Sequence, residues 1–571
     1  MKFLFSRFSG FWGRISWGLV IKTLGTVAEL LLPVILSYIL DEVILRESVW
    51  EIVLFGALMI GCAACACIFN IIANRKAAAV SMEIARKLRR DLFDKTLRLS
   101  ARDIDRFTVS SLESRITTDT YNVHNFIGMM QRMGVRAPIL LVGGLAISFM
   151  MDSTLALVML ATFPLIFITV YLISRLGLPL YTRVQRSIDA MVGVVREDTQ
   201  GIRVIKALSK NDYENRRFDT VNRKLSSDER RASMIMSSTH PIMTLFMNLG
   251  IAGVVALAAM RVNGGQSSTS TVIAFMQYFT TISMAMMALS RIFVMFTKCS
   301  ASARRIAEVI ETPERFEVIR DTDDLSGNHI EFKNVSFSYF GKRNNLSGIS
   351  FALKRGQHLG IIGATGSGKT TLIRTLMRTY DIDSGDIRIE GKSIKSYTRA
   401  ELSAKFGIAM QHDFLYADTI HENIDFARGL PEEAIHRAAR IAQAEDFILA
   451  KEGGYAFTLA PKGTNLSGGQ RQRLLIARAI AAEPDIVILD DSSSALDYKT
   501  DAALRRALSE GLSGSTVITV AQRVSSVKDC DLILVLEDGE IIGKGTHSEL
   551  LESCPEYREI SDSQMGGAFV E

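Results

Sequence analysis

Six long apolar stretches in the first half of the chain constrain its fold more than any other feature. A helix needs about 20 mostly apolar residues to cross the hydrocarbon layer of a bilayer. The stretches that meet this requirement are 17–40, 51–73, 133–151, 154–175, 238–260 and 270–296. The sequence therefore predicts an α-helical membrane domain, residues 1–310, with six transmembrane helices.

The connections between these stretches alternate in length and charge. Those at 41–50, 151–153 and near 261 are short, whereas 74–122 and 176–236 are long and carry many Lys and Arg residues. Basic residues favour the cytoplasmic side of a membrane protein. We therefore expect both termini and both long connections in the cytoplasm.

The long connections have apolar residues at helical spacing, as in 81–93. This pattern predicts that the spans continue as long cytoplasmic helices. Their tips, near 103–112 and 205–217, are candidates for contact with another domain. Plain solvated amphipathic helices are the alternative.

Two ionisable residues lie inside the first apolar stretch. Lys22 and Glu29 are expensive to expose to lipid, so such residues mark functional sites by default. The alternative is a position at the end of the span that faces water or a paired neighbour. The sequence leaves both interpretations open.

Composition excludes several other classes of protein. The 571 residues are 48% hydrophobic, which argues against a disordered chain. Six cysteines without a repeated C-x-x-C pair exclude a disulfide-rich module and a zinc finger, and a net charge of +5 gives no reason to expect nucleic acid. The first residues lack the pattern of a cleaved signal peptide or an organelle presequence, which indicates a bacterial plasma membrane.

The second half of the chain reads as a soluble domain. A charged linker is predicted at 311–329, and from residue 330 short apolar runs alternate with helical patterns, which is typical of an α/β domain. Within this domain, 330–571, a glycine-rich loop follows an apolar strand and precedes a helix, as a P-loop does. Such a loop closes its backbone N–H groups around phosphates. The predicted nucleotide-binding residues of this loop are Gly363, Thr365, Gly366, Ser367, Gly368, Lys369, Thr370 and Thr371.

Two further segments support ATP chemistry. The apolar strand 486–490 ends in Asp490, and such a carboxylate helps to hold Mg²⁺ in P-loop enzymes. The Thr370 hydroxyl is a predicted Mg²⁺ ligand. The segment 465–473 begins Asn-Leu-Ser-Gly-Gly-Gln, and it resembles the signature loop of ABC transporter ATPases. With six spans ahead of the nucleotide domain, the whole chain is similar to an ABC exporter half-transporter.

The resemblance implies further roles. Tyr339 matches the aromatic residue that stacks on adenine, Gln411 matches the Q-loop that senses Mg²⁺ and γ-phosphate, and Asp497 ends the 494–497 segment that matches the D-loop. In this family two ATP molecules lie between two nucleotide domains, and each P-loop faces the signature loop of the other chain. Binding and hydrolysis then drive alternating access. The signature residues that complete the partner's site are Ser467, Gly468, Gly469 and Gln470.

Two catalytic positions depart from the family pattern. Asp491 stands where the family has the glutamate that orients the attacking water, and Gln522 replaces the switch histidine. Displacing a catalytic group by about 1 Å can cost roughly a hundredfold in rate. The neutral amide of Gln522 can hydrogen-bond the γ-phosphate, but it cannot carry the charge of imidazole. The pattern resembles the degenerate-site half of a heterodimeric exporter, with a less active homodimer as the alternative.

Three functions fit this sequence. The first is ATP-driven efflux of amphiphilic, drug-like small molecules, and the second uses the same machine for a lipid or a peptide. The third is a channel or regulator that ATP gates without pumping. The expected cofactors are ATP and Mg²⁺, and the expected partners are a second half-transporter and the lipid bilayer.

Overall fold

The computed structural model describes residues 2–314, 316–319, 327–339, 341, 343–411, 413–492, 496–512 and 514–565. The chain divides into two compact units. One unit comprises Met1–Leu97 and Val109–Thr312, and the other comprises Arg98–Thr108 and Pro313–Glu571. The second unit therefore includes a short segment that the sequence assigns to the membrane domain.

The first unit is helical throughout. Six of its helical stretches are long and apolar enough to cross a membrane, which confirms the predicted fold class. The helices are α1 (Lys2–Arg7), α2 (Trp12–Tyr38), α3 (Val49–Arg98), α4 (Ala101–Phe107), α5 (Val109–Ser114), α6 (Thr120–Met133), α7 (Arg136–Met151), α8 (Ser153–Ala207), α9 (Asn211–Ser237), α10 (Thr239–Asn263) and α11 (Thr269–Ile310), of which α4 belongs to the second unit.

Several of these helices exceed what a bilayer requires. Helix α3 has 50 residues and α8 has 55, which at a rise of about 1.5 Å per residue gives lengths of roughly 75–83 Å. A span uses only about 20 residues. More than half of each helix must therefore project beyond the hydrocarbon layer.

A capping carboxylate makes the tight turn between α7 and α8. Asp152 accepts hydrogen bonds from the backbone N–H groups of Thr154 and Leu155, at 3.0 and 3.2 Å. These are orphan donors in the first turn of α8, and an N-cap aspartate satisfies them. Arg261, at the end of α10, lies 3.1 Å from the same carboxylate. The short connection thus fixes two spans at one end.

A buried polar network joins the segment that precedes α6 to the C-terminal part of α11. Asp119 is fully buried and accepts hydrogen bonds from Ser302 at 2.8 Å and from the guanidinium of Arg305. Arg115 donates to the carbonyl of Arg305 at 2.7 Å. Because a buried carboxylate is costly unless it is paired, this network specifies how the two helices pack.

The second unit contains an α/β domain with two sheets. The strands are β1 (Ile330–Phe337), β2 (Leu346–Leu353), β3 (His358–Ile362), β4 (Ser384–Ile389), β5 (Lys392–Ser393), β6 (Phe406–Ala409), β7 (Ile486–Asp490), β8 (Thr516–Val520), β9 (Leu532–Glu537) and β10 (Glu540–Gly545). The smaller sheet has the order β2-β1-β4-β5 and is antiparallel. The larger has the order β10-β9-β3-β8-β7-β6.

Five strands of the larger sheet run parallel, and only β10 is antiparallel. Central strands of such a sheet are buried on both faces and read as continuous apolar runs. Every residue of β7 is buried, and all but its last residue, Asp490, are apolar. Ligands bind beyond the carboxyl ends of the strands in open α/β sheets. The register aligns Ile361 and Asp490 with Val520, so β3, β7 and β8 end together.

The helices of this unit surround the sheets. They are α12 (Lys369–Leu376), α13 (Arg399–Ala404), α14 (Ile420–Asp425), α15 (Glu432–Ile441), α16 (Glu445–Leu449), α17 (Gly468–Ile480), α18 (Tyr498–Gly511), α19 (His547–Ser553) and α20 (Pro555–Met565). Apolar clusters fill the space between helices and strands, and one of them is centred on α14, α15 and α17.

Candidate nucleotide-binding site

The glycine-rich loop joins β3 to α12 at the carboxyl end of the larger sheet. A Cβ atom on Gly363 would lie 2.1 Å from the carbonyl oxygen of Leu536, so no larger residue fits there. Gly368 caps α12 with a φ of +104°, a conformation that side chains disfavour. The loop therefore presents backbone N–H groups at the start of a helix, where anions bind.

Two polar side chains of this loop fit a phosphate ligand. Lys369 donates to the carbonyl oxygens of Gly363 and Ala364, both at 2.8 Å, and burial lowers the pKa of its ammonium group. The Ser367 hydroxyl is buried and finds no hydrogen-bond partner among the described residues. An unpaired buried hydroxyl is costly. Phosphate oxygens would satisfy both groups, whereas Thr365 and Gly366 form the exposed tip of the loop.

The two predicted Mg²⁺ residues of the loop and the strand lie together. The Thr370 hydroxyl donates to Asp490 at 3.0 Å, at the end of β7. Burial raises the pKa of Asp490, and the nearby Asp491 acts in the same direction. A divalent cation would relieve this cost because it favours the charged carboxylate. Among the described residues no cluster of three His, Cys, Asp or Glu side chains could hold a metal, so an ion here needs other oxygen ligands such as phosphates.

The structure brings together the three residues predicted to act on the γ-phosphate. Gln411 and Gln522 both donate side-chain amide hydrogens to Oδ2 of Asp491, at 2.9 and 3.3 Å. Asp491 follows β7 directly and has a left-handed backbone, with φ of 49°. Its N–H donates to the Val520 carbonyl at 2.9 Å. The aspartate thus sits between the Q-loop and switch positions.

Tyr339 lies in an aromatic group beside α12. Its ring packs edge-on against Phe337 and Tyr380, with centroid distances of 4.9 and 5.0 Å. Its hydroxyl accepts a hydrogen bond from Arg374 at 3.3 Å and lies 3.4 Å from the Thr371 hydroxyl. The ring is half-buried, so part of it remains available for stacking.

The signature residues form the exposed start of α17. Ser467 accepts a hydrogen bond from the N–H of Gln470 at 3.2 Å, and the Gln470 side chain accepts one from the N–H of Ser467 at 3.1 Å. This is a capping box, which leaves other N–H groups of the first turn unpaired. Ser467 and Gly468 are exposed and Gly469 is half-buried. These hydrogen bonds stay within the loop and its helix.

Asp497 begins α18 as its N-cap. It accepts hydrogen bonds from the N–H and the hydroxyl of Thr500, at 2.9 and 2.8 Å, and these bonds lower its pKa. The other predicted D-loop positions, Ser494 and Ala495, lie outside the described residues. A capping aspartate explains the start of α18 without requiring a ligand.

Tyr380 is a contact that sequence reasoning missed. Its hydroxyl donates to Asp105 of α4 at 2.6 Å, which ties the short helix to the nucleotide-binding unit. The predicted contact segment is 103–112, whereas α4 spans Ala101–Phe107. Its C-cap is Thr108, where φ is +64°. An N-cap Ser100 was the available signal for where α4 begins. The second predicted tip, 205–217, contains the turn between α8 and α9.

Both ionisable residues of the first span have partners. Lys22 donates to the side-chain oxygens of Asn70 and Asn74, at 2.6 and 3.2 Å. Glu29 accepts two hydrogen bonds from the Arg136 guanidinium, at 2.6 and 3.2 Å. Paired neighbours were one of the two interpretations that the sequence left open, and this geometry favours it.

Two protein families match this chain, one in its membrane domain and one in the domain that holds the P-loop. Residues 15–286 match the family described as ABC transporter transmembrane region, and residues 346–494 match the family described as ABC transporter. The ABC transporter ATP-binding protein YfiB of Bacillus subtilis (strain 168) is 34% identical over 551 residues, which cover 96% of each chain. The chain belongs to the ABC transporter family. YknU of the same organism is 31% identical over 561 residues, with 96% of this chain and 94% of YknU covered.

A solved structure shares the fold of the whole chain. It is a bacterial Atm1-family ABC exporter with ATP bound, with a TM-score of 0.82, 23% identity and 98% of each chain covered. The resemblance inferred from the sequence is thereby confirmed: this ABC transporter is a half-transporter, with its membrane domain fused to an ATPase domain. Its ATPase domain binds ATP and couples hydrolysis to transport.

Proposed function

We propose that this ABC transporter is the degenerate-site half of a heterodimeric exporter in the bacterial cytoplasmic membrane. It moves an amphiphilic compound, a lipid or a peptide out of the cell by alternating access. The observation that carries the proposal is the environment of Asp491, which stands in place of a glutamate and accepts hydrogen bonds from both Gln411 and Gln522.

This arrangement supports slow turnover at the chain's own Walker site. The carboxylate is one methylene shorter than glutamate, so it lies farther from a water that attacks the γ-phosphate. One of its oxygens already accepts two amide hydrogens. A general base must reach the proton that it removes. This chain's own site therefore binds ATP more readily than it hydrolyses it.

The signature loop supports the opposite role in the partner's site. Ser467, Gly468 and Gly469 are intact and form the start of α17, where N–H groups and the helix dipole favour an anion. This loop completes the ATP site of the second half-transporter. One chain thus supplies a P-loop site with slow hydrolysis and an intact signature loop for the partner's site.

Mg²⁺ fits the oxygen donors of this site. Thr370, Asp490 and Gln411 would hold the ion, directly or through water, together with the β- and γ-phosphates. When bound, Mg²⁺ neutralises charge that develops on the transferred phosphoryl group. Lys369 would then leave the loop carbonyls and donate to phosphate oxygens.

The long basic helices support the membrane orientation. The connections around α3 and α8 carry many Lys and Arg residues, which supports a cytoplasmic position for them and for the ATPase domain.

The transport activity is tested in inside-out membrane vesicles that contain this chain and its partner half-transporter. We expect ATP-dependent uptake of an amphiphilic probe, with loss of uptake in Lys369→Ala of this chain. If the vesicles take up only a lipid probe or only a peptide probe, that compound class is the substrate. Flux that follows the gradient passively, with ATP affecting only its rate, would contradict pumping and indicate a gated channel.

A further inference from the structure

A residue outside the ATP site, Gln564, makes hydrogen bonds to the loop that carries Gln522. Oε1 of Gln564 accepts a hydrogen bond from the N–H of Val524 at 2.8 Å, and Nε2 of Gln564 donates to the carbonyl oxygen of Gln522 at 2.9 Å. One amide therefore satisfies one backbone group on each side of Arg523. A paired contact of this kind fixes the backbone from which the Gln522 side chain extends.

The helix that supplies Gln564 is anchored by its own buried face. In α20, Tyr557 and Ser561 are buried, and Tyr557 packs in an apolar cluster with Val524 and Val527 of the switch loop. Gln564 follows Tyr557 by seven residues and Ser561 by three, so all three lie on one face of the helix. The apolar contact holds the helix in place, and the amide of Gln564 then sets the loop.

A second contact holds the same loop from the helix that follows the D-loop. Arg505 of α18 donates to the carbonyl oxygen of Ser525 at 2.5 Å and pairs with Asp501 at 3.3 Å. The loop after β8 is thus held at Gln522, Val524 and Ser525 by side chains of two helices. Neither Gln564 nor Arg505 belongs to a nucleotide-binding motif of the sequence.

We propose that Gln564 is a positioning residue for Gln522, which sets the switch amide at the γ-phosphate through the backbone of its loop. This inference rests on the proposed role of Gln522. The switch position here holds a neutral amide, whose contact with phosphate depends on distance and angle. A loop displaced by a few tenths of an ångström weakens that contact, and Gln564 prevents the displacement.

The test compares ATP with ADP, because only ATP carries the γ-phosphate. The full chain in nanodiscs binds trinitrophenyl-ATP in the presence of Mg²⁺, and ATP or ADP displaces it. Gln564→Met keeps the length of the side chain and removes both hydrogen bonds. We expect it to weaken ATP about three- to tenfold, as the loss of one or two modest hydrogen bonds implies, and to change ADP less than about twofold.

Two further variants separate positioning from folding. Asp562→Ala, at an exposed position on the same helix, should leave both affinities unchanged. In a Gln522→Ala background, Gln564→Met should have no further effect on ATP, because coupled residues are not additive. Thermal unfolding of every variant monitors the fold.

Four outcomes would overturn the inference. Equal weakening of ATP and ADP, or a full additional loss in the Gln522→Ala background, would show that Gln564 only supports the fold. If Gln522→Ala weakens ATP binding and Gln564→Met does not, the positioning role of Gln564 is wrong, while the role of Gln522 stands. Unchanged ATP affinity in Gln522→Ala would contradict the proposed role of Gln522 itself.

Discussion

In the proposed function Asp491 stands where the family has the glutamate that orients the attacking water, and its side chain is one methylene shorter than glutamate. In the paired complex, with the partner's own hydrolytic site silenced, we expect Asp491→Glu to raise ATP turnover at least about tenfold, since misplacing a catalytic group by about 1 Å costs up to a hundredfold. Phosphate release measures it.

The matched control at this position is Asp491→Asn, which keeps the shape and removes the base. Its turnover should fall to background while ATP binding persists. Equal turnover in the aspartate and glutamate forms would show that the missing methylene is not what limits this site.

His329 links the two sheets of the ATPase domain through its buried ring. Its ring lies 2.7 Å from the Thr516 hydroxyl and is 3% exposed, and burial together with the nearby Arg355 lowers its pKa below the ordinary 6.5. The folded domain therefore disfavours protonation. The stability that neutral His329 contributes is complete above about pH 6.5 and is lost as the pH falls below that value.

We expect the unfolding temperature of the ATPase domain in the full chain to fall between pH 7 and pH 5. A His329→Asn variant should be less stable at pH 7 and should show a shallower decline, as calorimetry would measure. An equally steep decline in the variant would assign the pH dependence to other groups.

The first and third spans are joined by the ion pair of Glu29 and Arg136, whose side chains are 30% and 40% exposed. Glu29→Gln leaves the guanidinium without its counter-charge. Polar contacts between membrane helices contribute about 0.5–1.5 kcal/mol, so we expect a modest loss of thermal stability in detergent.

The reversed pair, Glu29→Arg with Arg136→Glu, should recover part of that stability. A reversed pair no more stable than the sum of the two single variants would show that the residues do not act together.

The fold was predictable where the pattern is local. Six apolar stretches and the glycine-rich loop each contain their whole signal within about 20 residues, because bilayer thickness and phosphate geometry act on contiguous segments. The contacts of Tyr380 with Asp105 and of Gln564 with Gln522 span 275 and 42 positions. No single sequence shows such pairings, since they depend on how distant elements pack. The family resemblance names Gln411, Gln522 and Asp491 separately, and only the structure shows that both amides donate to the same carboxylate.

The two chains of the complex are expected to contribute unequally, and the signature loop gives the test of that asymmetry. Ser467→Arg in this chain places a bulky side chain at the exposed start of α17, which the proposed heterodimer sets against the partner's ATP. We expect the ATPase activity of the paired complex to fall to at most about a tenth of its original value. ATP binding to this chain's own P-loop should remain, as photolabelling with an azido-ATP would show.

The corresponding change in the partner's signature loop is the control, and it should reduce ATPase activity far less. Equal losses from the two changes would indicate two equivalent sites.

The most direct test of the degenerate site is the Mg²⁺-ATPase activity of this chain purified alone in nanodiscs, measured beside Asp491→Asn and a determination of mass. We predict little turnover, from a monomer or a dimer that dissociates, and almost no difference between the two proteins. Brisk turnover from a stable homodimer, abolished by Asp491→Asn, would contradict the degenerate-site proposal and make Asp491 a working catalytic base.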